Sequence, residues 1–154
     1  MKNASSLCPV NIYHSLVGLL QNAVPLILRI VFGWCFIMNG WSKLHDLTKT
    51  AGFFKSIGIV APAFSAAFIG GLEFLGGALL ILGLGTRLFA FLLASTMVVA
   101  YFTAHYEALF DLKAFMQAAP FSFLVATLAL AAWGPGKLAL DSLKGCKNCS
   151  CKSC

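Results

Sequence analysis

The chain has 154 residues, 60% of them hydrophobic and 10% charged, and its mean hydropathy is +0.88. Soluble domains carry about a quarter charged residues, so this composition excludes a soluble catalytic module and indicates a protein that lies in a bilayer. The net charge of +6 does not indicate nucleic-acid binding, because the cations lie beside apolar segments, where anionic lipid headgroups account for them.

The first 24 residues precede the most apolar part of the chain. Apolar side chains recur there at helical spacing, at Ile12, Leu16, Leu19 and Leu20. This pattern predicts either a short amphipathic helix at the membrane interface or a frayed extension of the first membrane span.

Residues 25–141 contain four apolar segments, and at roughly 20 residues per span the chain has room for four membrane spans. The predicted spans cover residues 25–44, 62–83, 88–105 and 120–133. Pro25, Pro62 and Pro120 suit first helical turns, where a missing N–H costs nothing. We therefore predict an all-α fold, a four-helix transmembrane bundle, with a polar connection over residues 46–61.

Four spans place both termini on one side of the membrane. Counting Arg29, that side holds seven of the 11 Lys and Arg residues, and the opposite side holds Lys43, Lys49, Lys55 and Lys113. Because cytoplasmic loops carry an excess of Lys and Arg, this asymmetry predicts that both termini are cytoplasmic.

Stripes of small residues predict which helix faces meet inside the bundle, because small side chains let backbones approach closely in lipid. The predicted stripes are Arg29, Gly33, Phe36, Gly40 and Lys43 in the first span; Ala66, Gly70, Glu73 and Gly77 in the second; and Ser122, Ala126, Ala129 and Trp133 in the fourth.

Glu73 is the residue most indicative of chemistry, because it lies near the middle of its span. An ionised carboxylate at that depth costs a few kcal/mol on insertion scales. Glu73 is therefore predicted either to handle protons at a ligand-facing site or to act as neutral, hydrogen-bonded glue between helices. Arg29, about one turn inside the first span, either snorkels to the headgroups or leans inward to pair with Glu73.

A second group of candidate residues gathers at the non-cytoplasmic ends of the first and third spans. It contains Asn39, Trp41, Lys43, His45, His105, Tyr106 and Glu107. Imidazoles titrate near neutrality, so His45 and His105 could exchange protons or bind a metal. The alternative is an ordinary interfacial belt, in which Trp, Tyr, His and Lys are common.

Residues 142–154 form a polar tail with four closely spaced cysteines. Cys146, Cys149, Cys151 and Cys154 follow a C-x-x-C-x-C-x-x-C pattern. Four thiolates this close can surround a soft ion such as Cu(I) or Zn(II). The tail is therefore predicted to bind metal, unless its thiols are incidental.

Between about residues 28 and 141 the chain resembles the DoxX/DoxD family of small bacterial membrane proteins. The resemblance lies in Arg29 with Gly33, in residues 39–44 (NGWSKL), in residues 72–77 (LEFLGG) and in the ending GPGKLALD at residues 134–141. Asn39 departs from the His of many relatives, and the Cys-rich tail is not a family feature.

The resemblance implies a multi-pass protein of the bacterial inner membrane. DoxD-type relatives are subunits of a thiosulfate:quinone oxidoreductase, and others are linked to membrane assemblies that manage thiols and oxidative stress. We therefore expect a redox-linked subunit working with a partner protein, and a homo-oligomer is a further option.

On this hypothesis Glu73, His45 and His105 handle protons, while Arg29, Trp41 and Lys43 contact a quinone or sulfur compound. The cofactor would be borrowed from a partner, because the sequence has no Gly-rich nucleotide loop. The alternatives are a membrane protein that handles Cu(I) or Zn(II) through its tail, and a non-catalytic scaffold.

Overall fold

The computed structural model describes residues 9–134, 136, 139 and 140. The helices in this part of the chain are α1 (Pro9–His45), α2 (Leu47–Ser56), α3 (Pro62–Leu82), α4 (Thr86–Ala104), a 3-10 helix (Tyr106–Phe110), α5 (Leu112–Gln117) and α6 (Ala119–Trp133). The described residues contain no strand. The prediction of an all-α fold is confirmed.

Helix α1 starts earlier than the predicted first span and runs without a break from Pro9 to His45. The segment before residue 25 therefore extends the span instead of forming a separate helix. The placement of Pro25 in a first turn is wrong, because Pro25 lies inside the helix. The proline ring leaves the carbonyl of Gln21 without its usual helical N–H.

Three helices are long and apolar enough to cross a membrane: the Asn22–His45 part of α1, α3 and α4. Helix α6 is equally apolar in character but has only 15 residues. Many large apolar side chains, among them Trp34, Phe68 and Phe91, point outward from the bundle. In water this surface would be unfavourable, and in a bilayer it contacts lipid, so the prediction of a transmembrane bundle is confirmed.

The connections between spans are more ordered than predicted. Residues 46–61 were expected to be a polar connection, but they contain α2, whose first turn is capped by the Asp46 carboxylate accepting from the Lys49 N–H at 3.1 Å. A side-chain acceptor at this position satisfies a backbone donor that a helix start leaves free. The connection after α4 likewise holds the 3-10 helix and α5.

Helices α1 and α3 pack against each other through glycines. A Cβ atom on Gly77 would lie 2.6 Å from the carbonyl oxygen of Gly33, and one on Gly40 would lie 2.7 Å from that of Gly70. Such contacts require the two backbones to touch, which only glycine permits. The stripes predicted on these two helices are confirmed, because their members are buried apart from the partly exposed Lys43.

The stripe predicted on α6 is wrong. Ala126 is buried, but Ser122 is exposed and Trp133 is 66% exposed. The buried face instead carries Thr127 and Leu130, and Leu130 joins a core cluster with residues of α1, α3 and α4. The buried face of α6 therefore mixes small and large side chains and is not a stripe of small residues.

Candidate functional site

The glycine contacts between α1 and α3 fix the axial register of these two antiparallel helices. Gly33 meets Gly77, and one heptad further Gly40 meets Gly70. This register brings the end of α1 alongside the middle of α3. Lys43 consequently lies next to Glu73, whereas Arg29 lies near the C-terminal end of α3.

Lys43 and Glu73 form an ion pair within the bundle. The Lys43 ammonium donates to both carboxylate oxygens of Glu73, each at 2.6 Å. Glu73 is 1% exposed, whereas the Lys43 side chain is 30% exposed. Because a buried carboxylate needs a charged or hydrogen-bonding partner, this contact explains how Glu73 is tolerated at its depth.

The pair lies on the wall of an open cavity of about 790 Å³. Six residues singled out from the sequence line it together: Asn39, Trp41, Lys43, His45, Glu73 and His105. Its walls are otherwise mainly apolar and come from α1, α2, α3, α4 and the start of α6. The volume lies in the range typical of small-molecule sites, which are also mostly apolar with a few placed polar groups.

Helix α6 contributes one wall of the cavity and is short, because at about 1.5 Å per residue its 15 residues span only about 22 Å. Ala119 and Pro120 of its first turn, together with Phe123, line the cavity. The Phe123 ring packs edge-on against Phe36, with ring centroids 5.0 Å apart, and so closes the inner side.

The two histidines lie at the exposed mouth of the cavity. His45 packs nearly parallel to the Trp41 ring, with centroids 6.2 Å apart. His105 caps α4 and packs against Tyr101. Both imidazoles are exposed at the end of the bundle where the Lys43–Glu73 pair lies.

Sequence reasoning missed the contribution of α2 to this site. Asp46, Lys49, Thr50, Phe53 and Phe54 all line the cavity. The signal was present, since Asp46 is a good N-cap and Phe54 follows Thr50 at the spacing of one helical face. Short helices of this kind are easily taken for polar loops.

Arg29 does not reach the cavity. It is 1% exposed, and its guanidinium donates to the carbonyl oxygens of Leu80 at 2.8 Å and Ile81 at 2.9 Å. The predicted alternatives for Arg29 were snorkelling or pairing with Glu73, and neither occurs. The guanidinium instead bonds to carbonyls at the end of α3, and the Leu80 carbonyl also accepts from the Gly83 N–H at 3.1 Å.

The predicted metal site at Cys146, Cys149, Cys151 and Cys154 lies outside the described residues. Within the part that the structure describes, His, Cys, Asp and Glu side chains form no cluster that could hold a metal ion. Cys35 in α1 is a free, half-buried thiol.

Comparison with known proteins agrees with this architecture. The DoxX family model matches residues 24–106. The chain is 38% identical over 127 residues to the Bacillus subtilis (strain 168) protein named "Putative oxidoreductase CatD", an alignment covering 80% of this chain and 90% of that protein.

A second relative is the Escherichia coli (strain K12) "Inner membrane protein YqjF", 27% identical over 124 residues, with 80% of this chain and 94% of that protein aligned. No solved structure shows significant similarity to the chain. The apolar helices and these relatives support a multi-pass inner membrane protein, and the chain belongs to the DoxX family.

Proposed function

We propose that the protein is a redox-linked membrane subunit that binds an electron-carrying small molecule in the cavity beside Lys43 and Glu73. The observation that carries the proposal is a charged pair on the wall of a mainly apolar cavity of about 790 Å³. An oxidoreductase role is supported by the name of the Bacillus relative.

A quinone is the ligand class that suits these walls, and a small sulfur compound is the alternative. Quinones combine an apolar ring with carbonyl oxygens that accept hydrogen bonds. The partly exposed ammonium of Lys43 offers a donor, and Trp41 offers an aromatic surface beside it. Such a ligand supplies two-electron redox chemistry when bound, and the chain supplies binding and protons.

The roles proposed for individual residues follow from their positions. Glu73 orients the Lys43 ammonium through two short hydrogen bonds. His45 and His105, at the exposed mouth, exchange protons with water. Arg29 is not assigned to the ligand, because its guanidinium is bonded to carbonyls of α3. Electrons would come from or go to a partner protein with its own cofactor.

Quenching of Trp41 fluorescence provides a test. We expect 2-methyl-1,4-naphthoquinone to quench Trp41 saturably in a protein carrying Trp34→Phe and Trp133→Phe, which leaves Trp41 as the reporter. Lys43→Gln should weaken binding about tenfold, because a hydrogen bond to a charged group is lost. Lys55→Gln is the matched control, since Lys55 is an exposed residue of α2 that does not line the cavity.

Equal affinity in the Lys43 and Lys55 variants would contradict the proposed binding mode. Quenching that never saturates would indicate simple partitioning of the quinone into the detergent or lipid. In that case the cavity would not be a quinone site.

The Cys-rich tail supports a second candidate function, handling of Cu(I) or Zn(II) at the membrane. The support is the spacing of Cys146, Cys149, Cys151 and Cys154 in the sequence. A reduced peptide covering residues 143–154 should bind Cu(I) or Zn(II) far more tightly than free cysteine, measured by competition with a chromogenic chelator. Changing Cys149 and Cys151 to Ser should abolish this. Affinity no greater than that of free cysteine would remove the metal hypothesis.

We also propose that both termini are cytoplasmic, as the distribution of Lys and Arg predicts. In that orientation the mouth of the cavity, with Lys43, His45 and His105, faces the opposite side of the membrane. A partner that reaches the cavity would then approach from that side.

A further inference from the structure

The charge of Glu73 is balanced by a group that is itself accessible. Among the described residues, Glu73 forms its ion pair with Lys43 alone. Glu73 is 1% exposed and is fixed inside the bundle, whereas Lys43 is 30% exposed and ends a long, flexible side chain. The ammonium is therefore the member of the pair that a ligand in the cavity can draw away.

Few other charges could replace Lys43. The titratable or charged groups around the cavity are His45 from α1, Asp46 before α2, Lys49 from α2 and His105 at the end of α4. The lining residues of α6 are Ala119, Pro120 and Phe123, which carry no charge. Arg29, the other cation of α1, is bonded to carbonyls at the far end of α3.

With neutral histidines, the lining charges cancel formally. Lys43 and Lys49 carry two positive charges, and Asp46 and Glu73 carry two negative charges. An added negative charge therefore unbalances the cavity. An uncompensated carboxylate at this depth costs several kcal/mol, so Glu73 will bind a proton when its ammonium leaves.

We infer that negative charge entering the cavity is compensated by uptake of one proton at Glu73. The anion binds the Lys43 ammonium, the ammonium leaves the carboxylate, and a proton from water, passing the exposed mouth, binds a Glu73 oxygen. One anion and one proton enter together, so the net charge of the cavity does not change. This inference rests on the proposed function, because it describes how the same cavity responds to its ligand.

A neutral ligand has a different effect. The two short bonds to Glu73 use two of the three ammonium protons of Lys43. The third proton is left for a neutral acceptor such as a quinone carbonyl, which can bind without displacing Glu73. Proton uptake should therefore accompany the binding of an anion and should not accompany the binding of a neutral ligand.

Two naphthoquinone probes separate these cases. At neutral pH, 2-hydroxy-1,4-naphthoquinone is an anion, and 2-methyl-1,4-naphthoquinone is uncharged. Calorimetric titration of the full-length protein in buffers of different ionisation enthalpy gives the protons taken up per bound probe. We expect about one proton for the anion and about none for the neutral probe, and an affinity for the anion that falls about tenfold per pH unit as pH rises.

Variants assign the proton to a residue. Glu73→Gln should abolish the proton uptake and the pH dependence while the anion still binds, because Lys43 remains cationic. Lys43→Gln, a second variant in case Glu73→Gln does not fold, should abolish uptake by removing the cation that the anion draws away. Lys55→Gln, at an exposed residue of α2 that does not line the cavity, should leave the uptake at about one proton.

Two results would overturn the inference: anion binding without proton uptake, or uptake that survives Glu73→Gln. If the neutral probe binds and the anion does not, the inference fails while the proposed quinone site stands. If neither probe binds, both fail together.

Discussion

The two ends of the contact between α1 and α3 handle a buried charge in opposite ways. At one end the Arg29 guanidinium is 1% exposed and donates to backbone carbonyls of Leu80 and Ile81. At the other end Lys43 is 30% exposed and neutralises Glu73 beside an open cavity. The same two helices, meeting through the same glycines, therefore end in a closed site and an open one.

This difference indicates that the charge of Arg29 serves stability, whereas the Lys43–Glu73 pair can take part in chemistry. Two partners of Arg29 are backbone carbonyls, which cannot change their protonation state. The partner of Lys43 is a carboxylate, which can. A ligand can also reach Lys43, whereas Gly83, which would clash with the guanidinium if it carried a Cβ, packs tightly over Arg29. We expect the closed end to determine stability and the open end to determine function.

The largest effect should come from Arg29→Ala. It removes the hydrogen bonds to the carbonyl oxygens of Leu80 and Ile81 and opens a void between α1 and α3, at a cost of about 3 kcal/mol or more. Thermal unfolding in detergent, followed by circular dichroism, measures this loss. Arg87→Ala is the control at the same end of the bundle, because Arg87 is exposed. Equal losses in the two variants would show that the closed end is not held by Arg29.

A smaller effect is expected from the glycine contact that joins the two ends. In Gly40→Ala the new Cβ would meet the backbone of α3, including the Gly70 carbonyl oxygen at 2.7 Å. The helices must separate, at a cost of about 1–3 kcal/mol. Gly71→Ala meets nothing within 4 Å and should be neutral or slightly stabilising. The same unfolding measurement should rank the two variants in that order, and the reverse ranking would contradict the contact.

The smallest change in stability should follow from removing both charges at the open end. Replacing a buried ion pair with apolar residues of similar volume is often neutral or stabilising. Lys43→Met combined with Glu73→Leu should therefore change the unfolding free energy by about 1 kcal/mol or less, while quinone binding is lost. A large loss of stability would make this pair structural and remove the distinction between the two ends.

The faces of α1 and α3 could be predicted from the sequence because glycines mark them. Gly33, Gly40, Gly70 and Gly77 repeat at a spacing of seven, which is close to two helical turns. A stripe of residues without side chains has one strong explanation, close approach of two backbones. The membrane bundle itself followed from composition and segment length.

The pairing of Glu73 with Lys43 does not follow from the sequence. Matching Gly33 with Gly77 and Gly40 with Gly70 sets residue 37 opposite Glu73, which leaves Lys43 six residues and Arg29 eight residues away along α1. The two cations are almost equally distant in register, and only the structure shows that Lys43 is bonded to Glu73. The buried face of α6 could not be predicted either, because Thr127 and Leu130 leave no distinctive pattern in an apolar segment.

The length of α6 also differs from the thickness of a typical bilayer. Its length of about 22 Å falls short of a hydrocarbon core of about 30 Å. A span shorter than the hydrocarbon core is accommodated by local thinning of the bilayer. Because the first turn of α6 lines the cavity, we expect the acyl-chain length of the surrounding lipids to change how far the cavity mouth lies from the membrane surface.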